Sequence, residues 1–166
     1  MAEGPTHRMP LKRRQEGKTD YRQRLRLLKS GKTRAVVRVS NNRIIVQFTD
    51  YHEDGDIVRT SVDSTHIERY GWDGHGSNLP CAYLVGYLAG KKAIKENIDE
   101  AVLDIGLNIP KKGGKIFSAL NGIVDSGVHI PHDPDILPSD DRKQGKHINE
   151  ETVENFNEVK EKLEEL

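Results

Sequence analysis

The sequence predicts an α/β fold, helices packed in a sandwich against a mixed sheet, with an extended basic arm at the amino end and an acidic amphipathic helix at the carboxyl end. Three observations carry this. Val- and Ile-rich stretches separated by turn residues crowd residues 34–63, strand and helix patterns alternate from residue 79 onward, and charge is sharply segregated along the chain.

The first eighteen residues hold Gly4, Pro5, Pro10 and five cations, Arg8, Lys12, Arg13, Arg14 and Lys18, with almost no large apolar side chains. Such a segment buries too little to fold alone and reads as an arm that a partner orders. Thr19 is placed to cap a helix from Asp20 to Ser30, which Gly31 ends in the left-handed region. Tyr21, Leu25 and Leu28 would form its protein-facing stripe, and Arg22, Arg26 and Lys29 repeat the same spacing on a neighbouring face.

Arg34 to Ser40 and Arg43 to Thr49 read as a hairpin around Asn41-Asn42, and Ile57 to Asp63 completes a three-stranded meander. A Gly-rich loop over 70–78 leads into a helix from Leu79 to Asn97. Its small residues Ala82, Gly86 and Gly90 recur every four positions and predict close backbone packing on the sheet. Ala101 to Leu107 reads as a short strand holding Asp104. Gly113 to Asp125 reads as a helix, and Val128 to Ile130 as a last strand. Residues 131–147, with three prolines, read as an extended surface loop. Glu150 to Leu166 is an acidic helix capped by Asn149, with Val153, Phe156, Val159 and Leu163 as its apolar stripe.

At 166 residues the chain suits one domain with appendages. Its zero net charge conceals 13 Lys and Arg against 4 Asp and Glu up to Asp50, with the acidic excess lying beyond. That asymmetry points to a polyanion at one end only. A single cysteine, Cys81, allows no intrachain disulfide and fits a reducing, cytoplasmic compartment. Met1 to Arg14 has no apolar core of a secretion signal, and no stretch approaches the roughly 18 apolar residues that span a bilayer.

Catalytic motifs fail on spacing. Ser30-Gly31-Lys32-Thr33 looks like the end of a phosphate-binding loop, but Arg26 stands where the leading glycine belongs, and the segment follows a helix and precedes a strand. Gly71, Gly74 and Gly76 are in the wrong order for a dinucleotide fingerprint. His75 with Cys81, and His129 and His132 with Asp133 and Asp135, lack ligand spacing that converges on a metal. Asp104 is the serious alternative. A carboxylate in an apolar strand, with Asp63 and Asp125 as possible companions, would suit a metal-dependent nuclease, whereas the structural reading is an Asp hydrogen-bonded to backbone at a strand end.

The basic run is the strongest signal. Arg8, Lys12, Arg13, Arg14, Lys18, Arg22, Arg24, Arg26, Lys29, Lys32, Arg34, Arg38 and Arg43 lie together, interrupted by Glu16 and Asp20 alone. Without an external anion these cations repel one another. Membrane binding needs apolar anchors beside them, and Tyr21 with a few leucines does not supply those. Arginine dominance and an arm that orders on binding favour RNA, with Tyr21, Tyr70 and Trp72 as stacking candidates.

The block Thr19-Asp-Tyr-Arg-Gln-Arg-Leu-Arg-Leu-Leu-Lys-Ser-Gly-Lys32, then Arg34 and Val36-Val37-Arg38, resembles the amino-terminal signature of the archaeal-type 5S rRNA-binding proteins, the eighteenth protein family of the large ribosomal subunit. Tyr70-Gly71-Trp72, Asn78-Leu79-Pro80 with Ala82-Tyr83-Leu84 and Gly86, Ala101 through Leu107, and Val124-Asp125 through Ile130-Pro131-His132 are similar to further family segments in the same order. Cys81, Val85 and Asn121 depart from the pattern, all outside the basic arm. The resemblance implies a ribonuclease-H-like core without catalysis, needing no cofactor and no metal. It implies docking on 5S rRNA in the central protuberance, an arm reaching the large-subunit rRNA, and the fifth and archaeal-type twenty-first large-subunit proteins as neighbours. The expected organisation is a basic extended arm over 1–18, an α/β RNA-binding domain over 19–132, and a loop with an acidic helix over 133–166. Tyr21 and the thirteen cations are the expected RNA-contacting residues.

Overall fold

The computed structural model describes Gly4, Thr6 and residues 8–166. A four-stranded sheet lies at its centre, in the order β3-β2-β1-β4, formed by β1 (Arg34–Val39), β2 (Ile44–Asp50), β3 (Ile57–Asp63) and β4 (Val102–Asp104). The first three strands make the expected antiparallel meander, and β4 runs parallel to β1, so the sheet is mixed.

Strand alternation decides which side chains meet the core. Ala35, Val37, Ile44, Val46, Phe48 and Val62 are fully buried on the face covered by α4 (Leu79–Lys95) and α5 (Lys115–Asp125). Arg34, Val36 and Arg38 occupy the opposite face of β1, where Val36 pairs with Asp104 of β4. That second face carries the charged groups described below.

The small stripe of α4 acts differently from the expectation. A Cβ on Gly86 would run into the Ala119 carbonyl oxygen, one on Gly90 into the Ser126 hydroxyl, and one on Gly122 into the Tyr83 carbonyl oxygen. The close packing is therefore between α4 and α5, not between α4 and the sheet. Glycines on both helices let the two backbones approach beyond what any side chain permits. Periodicity shows that a helix face is small, but not which neighbour uses it. Cys81 and Val85, which depart from the family pattern, are fully buried on α4, and Asn121 is nearly so on α5.

Several boundaries shift for local reasons. Within the arm, α1 (Lys12–Gln15) is a single helical turn; Pro5, expected in the arm, lies outside the described residues together with 1–3 and 7. Helix α2 (Tyr21–Leu28) is capped by Asp20 rather than Thr19, the Asp20 carboxylate accepting from the Arg22 and Gln23 amides. Gly31 ends the segment at φ +65°, as expected. β4 stops at Asp104 because Gly106 turns the chain at φ +61°. Residues 128–130 form only a bridge, His129 to Glu100, between Gly127 at φ +110° and Pro131.

The stretch 131–147 is more structured than a surface loop. It contains a 3-10 turn at Pro134–Ile136, capped by Asp133, and helix α6 (Asp140–Gln144), while Pro138 and Gly145 are buried. Helix α7 (Glu150–Glu164) lays Phe156, Val159 and Leu163 into the same hydrophobic core, with the Phe156 ring 5.5 Å from that of Tyr83. Its acidic side chains face outward. A short helix, α3 (Ser64–Glu68), begins at Asp63, whose carboxylate accepts from the Thr65 and His66 amides.

Candidate nucleic-acid interface

On the open face of the sheet an ionic chain runs Arg24, Asp56, Arg34, Asp104, Arg38. Arg24 of α2 donates through both terminal nitrogens to Asp56, at 2.9 Å and 3.1 Å. Asp56 lies 2.6 Å from Arg34 Nη2, and Arg34 Nη1 donates to Asp104 Oδ2 at 3.1 Å. Arg38 donates to Asp104 Oδ1 at 3.1 Å and to its backbone carbonyl at 2.8 Å. The Gly106 amide also donates to Asp104 Oδ1, at 2.9 Å.

Burial makes this chain consequential. Arg34 is 2% exposed and Asp104 6%, so neither charge reaches bulk water and each depends on its partners. Burial by itself would raise the Asp56 carboxyl, but the hydrogen bonds from Arg24 and the ion pair with Arg34 outweigh it and hold the group below its ordinary value. The Asp56 carboxylate in turn raises Arg24. Helix α2 has no buried residue, so these bonds, with half-buried Leu27 and Leu28, fix it to the sheet.

The expected interface residues therefore separate into two groups. Arg34 is corrected outright: it is an internal ion-pair residue, because its position on β1 puts the guanidinium beneath α2 between two carboxylates. Arg24 and Arg38 are partly exposed but committed to the same chain. Lys32 pairs with Glu100 at 2.7 Å and Lys18 with Glu16 at 2.9 Å. Arg13 donates to the Thr19 hydroxyl at 2.8 Å. Arg8, Lys12, Arg14, Arg22, Arg26, Lys29 and Arg43 are exposed, with no carboxylate partner among the described residues.

The stripe expected to pack α2 on protein also changes. Tyr21 and Leu28 are half-buried, but Leu25 is 56% exposed and Leu27, on which the periodicity did not settle, faces the fold. Ionic anchoring through Arg24 rotates the helix away from the orientation that apolar spacing alone would choose. Arg22, Arg26 and Lys29 consequently all point to solvent. Among the stacking candidates, Trp72 is 3% exposed inside the core and cannot stack on a base, whereas Tyr21 and Tyr70 are half-buried.

The nuclease constellation does not assemble. Asp104 is saturated by two arginines and a backbone amide, Asp63 lies on β3 at the opposite edge of the sheet, with two strands between, and caps α3, and Asp125 accepts from the Tyr83 hydroxyl at 2.8 Å. Among the described residues no three His, Cys, Asp or Glu side chains gather where they could hold a metal ion. Asp104 is bonded to backbone, as the structural reading had it, but its arginine partners were not foreseen. His132 sits 2.7 Å from the Ile130 carbonyl oxygen, and Cys81 is buried in the core. The loop at Gly74 and Gly76 is tightly packed, since a Cβ at Gly76 would meet the Asn42 carbonyl oxygen at 2.8 Å. Among the described residues no helix is long and apolar enough to cross a membrane.

Sequence reasoning missed Asp56, the acid that joins α2 to β1. It sits just past the Glu53-Asp54-Gly55 turn, and nothing in its spacing distinguishes it from its acidic neighbours. Gln23, Leu27 and Asn108, which line a cleft beside Arg38, were also missed.

A family model described as the ribosomal large subunit proteins 60S L5 and 50S L18 matches residues 6–99 and 95–133. The chain is 50% identical over 148 residues to the large ribosomal subunit protein uL18 of Haloquadratum walsbyi, covering 89% of this chain and 72% of that protein. It is 50% identical over 149 residues to the uL18 protein of Aeropyrum pernix, covering 89% and 70%. Against the uL18 protein of Methanothermobacter thermautotrophicus the identity is 46% over 150 residues, covering 90% and 78%.

Proposed function

The chain belongs to the family of large ribosomal subunit protein uL18, and from that membership we propose that it binds 5S rRNA and anchors it to the large-subunit rRNA in the central protuberance. As a member of that family it is a structural component of the large subunit acting in translation in the cytoplasm, and not an enzyme. The finer assignment, including a ribonuclease-H-like core and neighbours corresponding to the fifth and archaeal-type twenty-first proteins, rests on the sequence resemblance set out above.

One observation supports the RNA reading most directly. Arg22, Arg26 and Lys29 form an exposed cationic row with no carboxylate partner among the described residues, on a helix pinned to the sheet by a separate set of arginines. The protein thus uses one set of cations to position another. The outward set, with Arg8, Lys12 and Arg14 of the arm and Arg43 of the β1–β2 turn, is available to bridge phosphates.

Filter binding of the full chain to 5S rRNA over a range of salt concentrations tests this. If roughly six to ten cations meet phosphates, affinity falls by several powers of ten between low and moderate salt. The Arg22→Ala, Arg26→Ala, Lys29→Ala triple variant is expected to reduce the slope of log affinity against log salt by roughly 2 to 3, with its melting temperature unchanged. Deletion of 1–18 should flatten the slope further. A wild-type chain that binds 5S rRNA no better than an unrelated RNA of equal length would overturn the assignment.

A further inference from the structure

We propose that the cleft between α2 and the turn after β4 holds a single unstacked nucleotide of the bound RNA, an inference that rests on the functional reading above and adds to it a site for base recognition. The cleft has a volume of about 350 Å³, within the roughly 300–1,000 Å³ typical of small-ligand sites. Its composition differs from that of the exposed cationic row. Phosphate contacts need only cations and amides, yet here two leucines and two carboxamides line the same space.

Leu27 of α2 is half-buried and Leu107 is 53% exposed, giving the cleft apolar walls suited to the face of a base. Gln23 is half-buried, and its carboxamide has no hydrogen-bond partner among the described residues. Asn108 donates its Nδ2 to the Ile105 carbonyl at 2.8 Å and keeps its Oδ1 free. A carboxamide offers a donor and an acceptor side by side, the pattern that complements a base edge. RNA is read in sequence chiefly through bases released from stacking, which is the state this cleft would admit.

The rim and floor suit the rest of a nucleotide. Arg13 uses its Nε on Thr19 and retains both terminal nitrogens for a phosphate. Arg38 forms a floor fixed by bonds to Asp104 and to the Val37 carbonyl. Two carboxylates also line the cleft, but both are already engaged: Asp20 accepts backbone amides of α2, and Asp104 is held by its arginines. The ionic chain that positions α2 therefore also sets the width of this cleft.

The test uses the full chain. Titration with each of the four ribonucleoside 5′-monophosphates, followed through the side-chain amide resonances of Gln23 and Asn108, is expected to shift both for at least one base. Inorganic phosphate should leave them unmoved. The Gln23→Ala, Asn108→Ala variant is expected to bind 5S rRNA about tenfold more weakly while keeping the wild-type salt slope, since base contacts and not phosphate contacts are lost. Amides that ignore every nucleotide, or respond equally to phosphate, would overturn the pocket, as would a double variant that binds like wild type. In those cases wild-type affinity for 5S rRNA would still stand, whereas its absence would defeat the functional reading itself.

Discussion

Replacing Asp104 by Ala removes the acceptor shared by Arg34, Arg38 and the Gly106 amide. With Arg34 2% exposed, the uncompensated guanidinium cannot hydrate, and breaking a buried pair from one side costs roughly 3–5 kcal/mol. Two features place the loss near the lower end of that range. Arg34 keeps Asp56 at 2.6 Å, and the Arg38 side chain is 43% exposed, so water can replace its lost partner. A loss of about 3 kcal/mol corresponds to a melting temperature lower by roughly 6–12 °C for a chain of this size. Circular dichroism melts and urea titrations of wild type, Asp104→Ala and Asp104→Asn provide the comparison. Asparagine, which keeps an acceptor for Gly106, should lose less. The double replacement Arg34→Met, Asp104→Leu should recover more than half of the alanine loss, because it leaves no buried charge without its partner at this position. A melting temperature for Asp104→Ala within about 2 °C of wild type, at most about 1 kcal/mol, would refute the claim that this ionic chain holds the second face together.

Gly86→Ala and Gly122→Ala should each destabilise by about 3 kcal/mol or more, because the added methyl meets backbone of the facing helix rather than a movable side chain; urea midpoints check this. Asp56 and Asp63 are both held below the ordinary carboxyl range, so the stability they contribute is fully present above pH about 4 and is lost as pH falls through their folded values. Acid titration of the unfolding free energy should therefore show a shallower decline below pH about 4 in Asp56→Asn. Burial pushes the Cys81 thiol up to about 12, so it should resist a thiol reagent at neutral pH in the native protein and react promptly in denaturant.

Much of the architecture could be read along the chain because it is written in short-range patterns. The alternation of Ala35, Val37, Ile44, Val46 and Phe48 marks one face of a meander, and the stripe of Phe156, Val159 and Leu163 marks the buried face of the last helix. The crowding of cations before residue 44 likewise marks a strongly cationic segment without any fold. What the chain could not reveal is which of those cations are spent internally. Arg34 and Arg22 look equivalent as residues, yet one is enclosed between Asp56 and Asp104 and the other faces solvent. The partners of Arg34 lie 22 and 70 positions away in sequence, joined to it by sheet register and by the path of the β2–β3 turn. Periodicity reports which side of an element is apolar; only the packed structure determines which charges have met their counterions and which still seek one.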